Sequence, residues 1–276
     1  MEIKNLLMCP KCKGELDNSC QCTSCGAMYE TKMGIYNILF EDMGEEYHFS
    51  NWKIDEEAFH KSIEEYDAFQ KEYQSHLSQE CIDAEAKLDE VVKTYIEKCS
   101  GTVLDIATGR GMFLEKLMKW NPKLKIIGLD IDARILAVTK QIRKCGNNVA
   151  FLGTDARHIA LKNESVNHVV SFAGIANMPE TDKVINEIYR VLKKSGTFIY
   201  KGTFLDRGSE GYEDIKNRFH LEHVMDIDRL TDMFLRSGFQ LIKSEIIATG
   251  IWKENPYDGY PFAGENNNYG IIVVKK

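Results

Sequence analysis

The sequence predicts an α/β fold, in which a parallel sheet carries helices on both faces and a small cysteine-rich module precedes it. From residue 101 onward, short apolar runs alternate with amphipathic helical patterns, and an acidic residue closes or follows each of the first three runs. Near the N-terminus, four cysteines form two C-x-x-C pairs. Alternation of this kind is typical of parallel sheets whose ligands bind at the carboxyl ends of the strands.

Composition excludes several classes of protein. A chain of 276 residues with 43% hydrophobic content can bury one sizeable core and carry a small appended module. The net charge of -7 argues against a protein that coats nucleic acid by electrostatics alone. No apolar run approaches the roughly 20 residues of a membrane span, and the N-terminus lacks the pattern of a secretory signal. We therefore expect a cytoplasmic protein without a membrane partner.

The cysteines at the front of the chain predict a metal site. Five of the eight cysteines fall within the first 25 residues, and the two pairs are Cys9 with Cys12 and Cys22 with Cys25. Two such turns supply four thiolates in a tetrahedral shell, which suits structural zinc. Disulfides are disfavoured in the reducing compartment expected here, and iron or a redox role is the alternative. Cys20 is not expected to be a ligand.

The chain divides into three predicted parts: a zinc ribbon over residues 1–40, a helical connecting segment over 41–100, and an α/β domain over 101–276. Residues 41–100 hold 17 of the 42 acidic residues, which indicates a solvated helical face. Strands are predicted near 102–106, 125–130, 148–152, 166–172, 195–202, 239–242 and 269–274, and helices near 111–119, 133–144, 181–192 and 226–237.

A glycine turn and three acidic residues predict a nucleotide-type cofactor site. The run from Val103 to Phe113 passes from a strand through a tight turn into a helix. Asp130 ends the next strand, where a carboxylate can accept hydrogen bonds from two ribose hydroxyls. A nicotinamide dinucleotide ranks second, because Leu114 occupies the third glycine position of that fingerprint.

The motifs VLDIATGRG, IIGLDID, FLGTDA, VVSFAGIANM and RVLKKSGTFIY resemble those of class I S-adenosylmethionine-dependent methyltransferases. The resemblance covers about residues 100–245 and is strongest to the branch with small-molecule and quinone-biosynthesis enzymes. It implies a Rossmann-like sheet of seven strands, S-adenosyl-L-methionine as cofactor and methyl transfer as the reaction. A non-catalytic fold whose acidic residues merely cap helices is the alternative.

The resemblance also implies a role for individual residues. The amino acid end of the cofactor would contact Asp105 and the turn formed by Ala107, Thr108, Gly109 and Gly111. Asp130 would bind the ribose, Ile131 would pack on the adenine, Asp155 and Ala156 would flank it, and Phe172 would face the methyl-transfer centre. Ala107 replaces a family glycine, and we expect its small methyl group to be tolerated.

Methyl transfer from a sulfonium mainly requires alignment in a dry site, so no catalytic residue is assigned. If the acceptor must lose a proton, the candidate bases are His220, His223 and Tyr200. Arg110 and Lys201 are interpreted as solvated charges, with contact to an anionic substrate as the alternative. The aromatic connection at residues 249–267 would cover the acceptor site or pack against the helical segment or the ribbon.

Three functions remain open from the sequence. The first is methylation of a small molecule. The second is methylation of ribosomal RNA guanine, because a zinc ribbon followed by Gly34-Ile35-Tyr36-Asn37-Ile38-Leu39 also resembles those enzymes. Against RNA, residues 1–40 contain four basic and four acidic residues and no basic stripe. The third is a cofactor-binding scaffold. The acceptor and the oligomeric state are not specified by the sequence.

Overall fold

Nine strands form one mixed sheet in the computed structural model, which describes residues 1–40 and 56–276. The strands are β1 (Glu30–Lys32), β2 (Ile35–Asn37), β3 (Thr102–Ile106), β4 (Lys125–Asp130), β5 (Val149–Gly153), β6 (Val166–Phe172), β7 (Leu192–Phe204), β8 (Gln240–Ile251) and β9 (Asn266–Lys275). Their order across the sheet is β1-β2-β5-β4-β3-β6-β7-β9-β8. The six strands from β2 to β7 run parallel, and the outer strands pair antiparallel.

Seven helices cover the sheet in the described residues. They are α1 (Glu56–Ser75), α2 (Gln79–Ile96), α3 (Met112–Trp120), α4 (Ala133–Ile142), α5 (Thr181–Val191), α6 (Glu210–Phe219) and α7 (Ile227–Arg236). Residues 41–55, where the helical segment was predicted to begin, lie outside the described residues. None of the helices described is both long and apolar enough to cross a membrane.

Two apolar cores lie on opposite faces of the sheet, because successive residues of a strand point to opposite sides. Leu104 belongs to the core covered by α5 and α7, whereas Val103 belongs to the core covered by α2, α3 and α4. Burial of both faces explains why β3 to β6 are nearly continuous apolar runs rather than alternating ones. The predicted α/β class is confirmed.

Local sequence patterns place most elements to within a few residues. The bounds of β3, β4 and β6 agree with the prediction, whereas β8 and β9 are longer than predicted. Helix α6 was not predicted. Helical spacing predicts one buried face for Ile82, Leu88 and Ile96 of α2, and this is partly wrong, since Leu88 and Ile96 are buried but Ile82 is 41% exposed.

The N-terminal module extends the main sheet. Strand β2 pairs parallel with β5, and Ile35 is in register with Phe151. The side chain of Ile35 is fully buried in the core that contains Phe151. The sheet therefore has nine strands where seven were predicted, and the two additional ones come from residues that precede the α/β domain.

The aromatic connection between β8 and β9 packs against the helical segment, which was one of its three predicted positions. The Tyr257 ring lies edge-on to Phe69 of α1, with 4.9 Å between ring centroids. The Tyr73 hydroxyl donates a hydrogen bond of 2.6 Å to Asp258 Oδ2. These contacts tie α1 to the end of the chain that carries the last two strands.

Close packing of α2 on β8 yields a stability prediction. A Cβ at Gly250 would lie 2.6 Å from the backbone nitrogen of Cys81. Because this neighbour is backbone, Gly250→Ala must displace the start of α2, and we expect a loss of about 1 to 3 kcal/mol in unfolding free energy. Urea denaturation followed by circular dichroism measures it.

The matched control is Gly259→Ala, because a Cβ at Gly259 meets nothing within 4 Å. This variant should unfold at the wild-type urea concentration. Equal midpoints for the two variants would contradict the close approach of α2 to β8.

Candidate functional site

A cavity of about 580 Å³ lies at the carboxyl edge of the sheet. Its volume is typical of small-molecule sites. It is lined by Ala107, Gly109, Leu129, Asp130, Ile131, Thr154, Asp155, Ala156, Arg157, Phe172, Ala173, Gly174, Asn177, Met178, Pro179 and Val184. Seven of the ten predicted cofactor-binding residues line this cavity, and Asp105, Thr108 and Gly111 lie outside its wall.

Asp105 supports the glycine turn from within the protein. Its side chain is 1% exposed, and the Thr108 hydroxyl donates to Asp105 Oδ2 at 3.0 Å. Burial raises the pKa of Asp105 to about 7, the Thr108 hydrogen bond lowers it, and the charge of Asp130 adds to the rise. Because its carboxyl group faces Thr108, Asp105 is placed to support the turn rather than to contact a cofactor directly.

The turn after β3 needs left-handed backbone at three positions. Ala107 has φ +56°, Gly109 has φ +50° and Gly111, which precedes α3, has φ +72°. For a residue with a Cβ, this conformation costs about 1 to 2 kcal/mol. The expectation for Ala107 considered only the bulk of its methyl group, whereas the cost of alanine at this position comes from the backbone conformation.

Asp130 ends β4 and lines the cavity next to the glycine turn. The Gly109 amide donates to Asp130 Oδ2 at 2.8 Å, and the Asp132 amide donates to Asp130 Oδ1 at 3.1 Å. Burial raises the pKa of Asp130, while these backbone donors lower it. The two hydrogen bonds fix the orientation of the carboxyl group, and each oxygen keeps a lone pair for a ligand hydroxyl.

Asp155 follows β5 and is bound by a neighbour that the sequence analysis missed. The Arg157 guanidinium donates from Nε to Asp155 Oδ2 at 2.9 Å, and Nη1 of the same group donates to Glu180 Oε1 at 2.8 Å. Arg157 itself lines the cavity beside Asp155 and Ala156. The only sequence signal for this role of Arg157 is that it lies two residues after Asp155.

A buried charge cluster adjoins the cavity wall at Phe172. Lys201 is fully buried, although it was predicted to be solvated, and its Nζ donates to Glu85 Oε1 at 2.9 Å and to Asp89 Oδ1. The same ammonium lies 4.2 Å from the ring centroid of Phe172, which lines the cavity. Burial raises the pKa of Glu85, but Lys201 and Lys116 outweigh it and hold that pKa at about 2.

Helix α1 lies beside the glycine turn through an aromatic contact. The Arg110 guanidinium is 5.3 Å from the Tyr66 ring centroid and 4.8 Å from that of Phe69. Arg110 was predicted to be a solvated charge and is exposed in the structure, but it also takes part in these cation–π contacts. They place a wall of aromatic side chains next to the residue that follows Gly109.

The three candidate bases do not line the cavity. Tyr200 is 1% exposed and its ring packs on Phe204 in the apolar core. His220 ends α6, and the His223 ring lies 3.3 Å from the Thr181 hydroxyl. Both histidines therefore lie outside the cavity wall, and Tyr200 lies in the core.

The four predicted metal ligands converge. The sulfurs of Cys9, Cys12, Cys22 and Cys25 all lie within 4.8 Å of one another. The Cys9–Cys25 and Cys12–Cys22 sulfur distances are 3.7 and 3.4 Å, close to the ~3.8 Å edge of a tetrahedron with Zn–S bonds of ~2.3 Å. Cys20 lies apart, with its sulfur 3.5 Å from the Thr31 hydroxyl. The set fits a tetrahedral thiolate-bound ion.

The family model described as a methyltransferase domain matches residues 97–237. The chain belongs to this family. The matched domain and the fold are those of class I methyltransferases, and the resemblance noted from the sequence motifs is confirmed.

Curated relatives include enzymes with different acceptors. The chain is 28% identical over 160 residues to malonyl-[acyl-carrier protein] O-methyltransferase of Marinomonas sp. (strain MWYL1), which covers 56% of this chain and 58% of the relative. It is 30% identical over 109 residues to demethylmenaquinone methyltransferase of Thermotoga maritima, covering 40% of this chain and 46% of the relative. The chain thus spans about half the length of these relatives.

Solved structures support the fold. Phosphoethanolamine N-methyltransferase 2 of Haemonchus contortus, in complex with S-adenosyl-L-methionine, superposes with a TM-score of 0.53 at 19% identity. The match covers 68% of this chain and 52% of that chain. The predicted Rossmann-like methyltransferase architecture is therefore confirmed.

The raised pKa of Asp105 predicts how stability depends on pH. Its value of about 7 exceeds the ~3.9 of an unfolded aspartate, so the native state binds the extra proton between these values. Asp105 therefore stabilises the native state at low pH, and its contribution to the unfolding free energy declines as the pH rises from about 4 to 7. Asp105→Asn keeps an acceptor for Thr108 without the charge. The unfolding free energy of Asp105→Asn minus that of wild type should therefore increase from pH 5 to pH 8.

Urea unfolding at pH 5, 6, 7 and 8 measures this difference. Asp182→Asn, at an acidic residue in the first turn of α5, controls for a general change of net charge. A constant offset between wild type and Asp105→Asn across this range would contradict the pKa shift.

Proposed function

We propose that this methyltransferase transfers the methyl group of S-adenosyl-L-methionine to a small-molecule acceptor. The observation that carries the proposal is the cavity of about 580 Å³ at the carboxyl edge of the sheet, with two carboxylates and a glycine turn in its wall. A cofactor of nucleoside type needs this combination of acceptor groups and close backbone approach.

In this proposal the cofactor lies along the ends of β3, β4 and β5. Asp130 would accept hydrogen bonds from the ribose hydroxyls, and Ile131 would pack on the adenine. The turn at Ala107 and Gly109 would contact the amino acid end, with Thr108, Gly111 and Asp105 holding that turn from behind. Phe172 would face the sulfonium. The Asp155 carboxyl group would flank the adenine in the orientation that Arg157 imposes.

The acceptor would enter between Phe172 and helix α1. The rings of Tyr66 and Phe69 beside Arg110 supply an aromatic surface close to the glycine turn. A planar or apolar acceptor suits such a wall, and the exposed guanidinium would attract an anionic substituent. The named relatives act on a protein-carried malonyl group and on a quinone precursor, so their names favour no single acceptor for this chain.

The experiment incubates the purified protein with cofactor carrying a radiolabelled methyl group, together with either a metabolite extract or ribosomal RNA. We expect label in the small-molecule fraction. In Asp130→Ala, loss of hydrogen bonds to a charged acceptor should weaken calorimetric binding of S-adenosylhomocysteine by about 1.5 to 3 kcal/mol, more than tenfold.

The control is Asp132→Asn, because Asp132 caps α4 by accepting from Arg134 and does not line the cavity. It should bind within about twofold of wild type, as expected for a residue outside the cavity. Label that appears only in RNA would overturn the small-molecule assignment, and normal affinity in Asp130→Ala would overturn the cofactor placement.

We also propose that residues 1–40 form a zinc ribbon held by Cys9, Cys12, Cys22 and Cys25. Four thiolates leave no open coordination position, so the ion would stabilise the fold rather than take part in methyl transfer. A module of this size buries too little apolar surface to fold without such an ion or an equivalent support. The Tyr29 hydroxyl lies 3.0 Å from the Cys9 sulfur and would orient this ligand.

Two serine variants test the metal site. Cys12→Ser should lower bound zinc, measured by plasma mass spectrometry, from about one ion per chain to well below one, because a thiolate ligand is lost. Cys20→Ser provides the matched control, since Cys20 lies in the same module but outside the cluster. Equal zinc content in the two variants would refute the assignment of ligands.

A further inference from the structure

One loop lies between the N-terminal module and the cofactor cavity. It runs from Gly153 at the end of β5 to Lys162. Residues 154–157 of this loop line the cavity. The segment on its other side comes from residues 1–40, so a single loop has the cavity on one side and the cysteine-rich module on the other.

The end of β2 holds the first half of the loop. The Ile38 amide donates to the Gly153 carbonyl at 2.7 Å, which continues the parallel pairing of β2 with β5. Two residues on, the Phe40 ring stacks on the His158 ring, with 4.4 Å between centroids and an angle of 15°. These two contacts lie directly before and directly after the cavity-lining residues 154–157.

The segment before the first metal ligand holds the second half of the loop. The Met8 amide donates to the Ala160 carbonyl at 3.0 Å, and the Lys162 amide donates to the Leu6 carbonyl at 2.8 Å. Cys9 is the residue directly after Met8. One peptide unit therefore separates the first metal ligand from the backbone that pairs with the loop.

The contact is also apolar. Ile3, Leu7 and Ile38 are at most 2% exposed and share one core with Ala156 and Ile159 of the loop. Burial of an Ile or Leu side chain contributes about 1.5 to 3 kcal/mol. The module is thus packed into the main domain with contacts comparable to those of an integral strand.

We infer that the cysteine module supports the cofactor site from outside the cavity, and that Ile38 and Phe40 are positioning residues for the cavity wall at residues 154–157. The inference rests on the proposed cofactor placement and on the proposed metal. Small thiolate-bound modules fold only with their ion, which supplies two states of the module. Removal of the ion would loosen the contacts of Leu6, Met8, Ile38 and Phe40 with the loop. Metal binding and cofactor binding are then thermodynamically coupled.

Helix α5 also holds this loop, independently of the N-terminal module. The Arg190 guanidinium donates to the carbonyls of Ile159 and Leu161 at 2.8 and 2.7 Å. These bonds hold the far half of the loop without the module. The near half, which lines the cavity, is held by β2, by the hydrogen bond of 2.9 Å from the Thr154 amide to the Asp130 carbonyl, and by the Arg157–Glu180 ion pair. Loss of the module would remove the first of these three supports.

Phe40→Ala tests the inference with all four cysteines intact. We expect its dissociation constant for S-adenosylhomocysteine, measured by calorimetry, to rise at least about fivefold, within the usual range of coupling between sites, with unchanged zinc content. The matched control is Met28→Ala, in the same module but 80% exposed, which should bind as wild type. Wild-type affinity in Phe40→Ala would overturn the inference.

A second measurement uses the reciprocity of coupled binding. The concentration of chelator that removes half of the zinc should rise in the presence of saturating S-adenosylhomocysteine, and an unchanged midpoint would overturn the coupling. Asp130→Ala distinguishes failure of the positioning role from failure of the cofactor placement. Loss of cofactor binding in Asp130→Ala with normal binding in Phe40→Ala refutes the positioning role alone. Normal binding in both variants refutes the cofactor placement itself.

Discussion

The parallel register of the central strands determines where every element of the candidate site lies. Ile106 pairs with Leu129 and with Ser171, and Leu129 pairs with Leu152. Strands β3, β4, β5 and β6 therefore end at the same level of the sheet. The turns that follow them bring side chains from four distant parts of the sequence to one edge, and a shift of one residue in β4 would turn the Asp130 carboxylate toward the opposite face.

The turn from Ala107 to Gly111 connects the aligned strand ends and forms part of the cavity wall. Left-handed backbone at Ala107, Gly109 and Gly111 brings the Gly109 amide within 2.8 Å of Asp130 Oδ2. This bond joins the ends of β3 and β4, and the Thr108 hydroxyl joins the same turn to the buried Asp105. The cost of an alanine in left-handed backbone is offset by these bonds, as is common where strain occurs at a functional site.

The sequence predicts the parts of the site that depend on local pattern and misses those that depend on distant contacts. Asp130 follows an apolar run whose end is visible in the sequence, and it lines the cavity as predicted. Lys201 was interpreted as solvated because its partners, Glu85 and Asp89, lie far earlier in the chain on α2. The pairing of β2 with β5 was missed for the same reason, since a three-residue strand carries no signal of its partner.

The buried cluster around Lys201 limits how the protein can open to admit a ligand. Moving α2 away from β7 would separate the Lys201 ammonium from both of its carboxylates while leaving it among apolar side chains. Breaking a buried pair in this way costs about 3 to 5 kcal/mol. The contacts between α1 and Arg110 involve an exposed guanidinium and are worth about 0.5 to 1 kcal/mol each. The cluster therefore keeps α2 fixed on the sheet when a ligand enters, whereas moving α1 would cost the Arg110 contacts together with those to Tyr257 and Asp258.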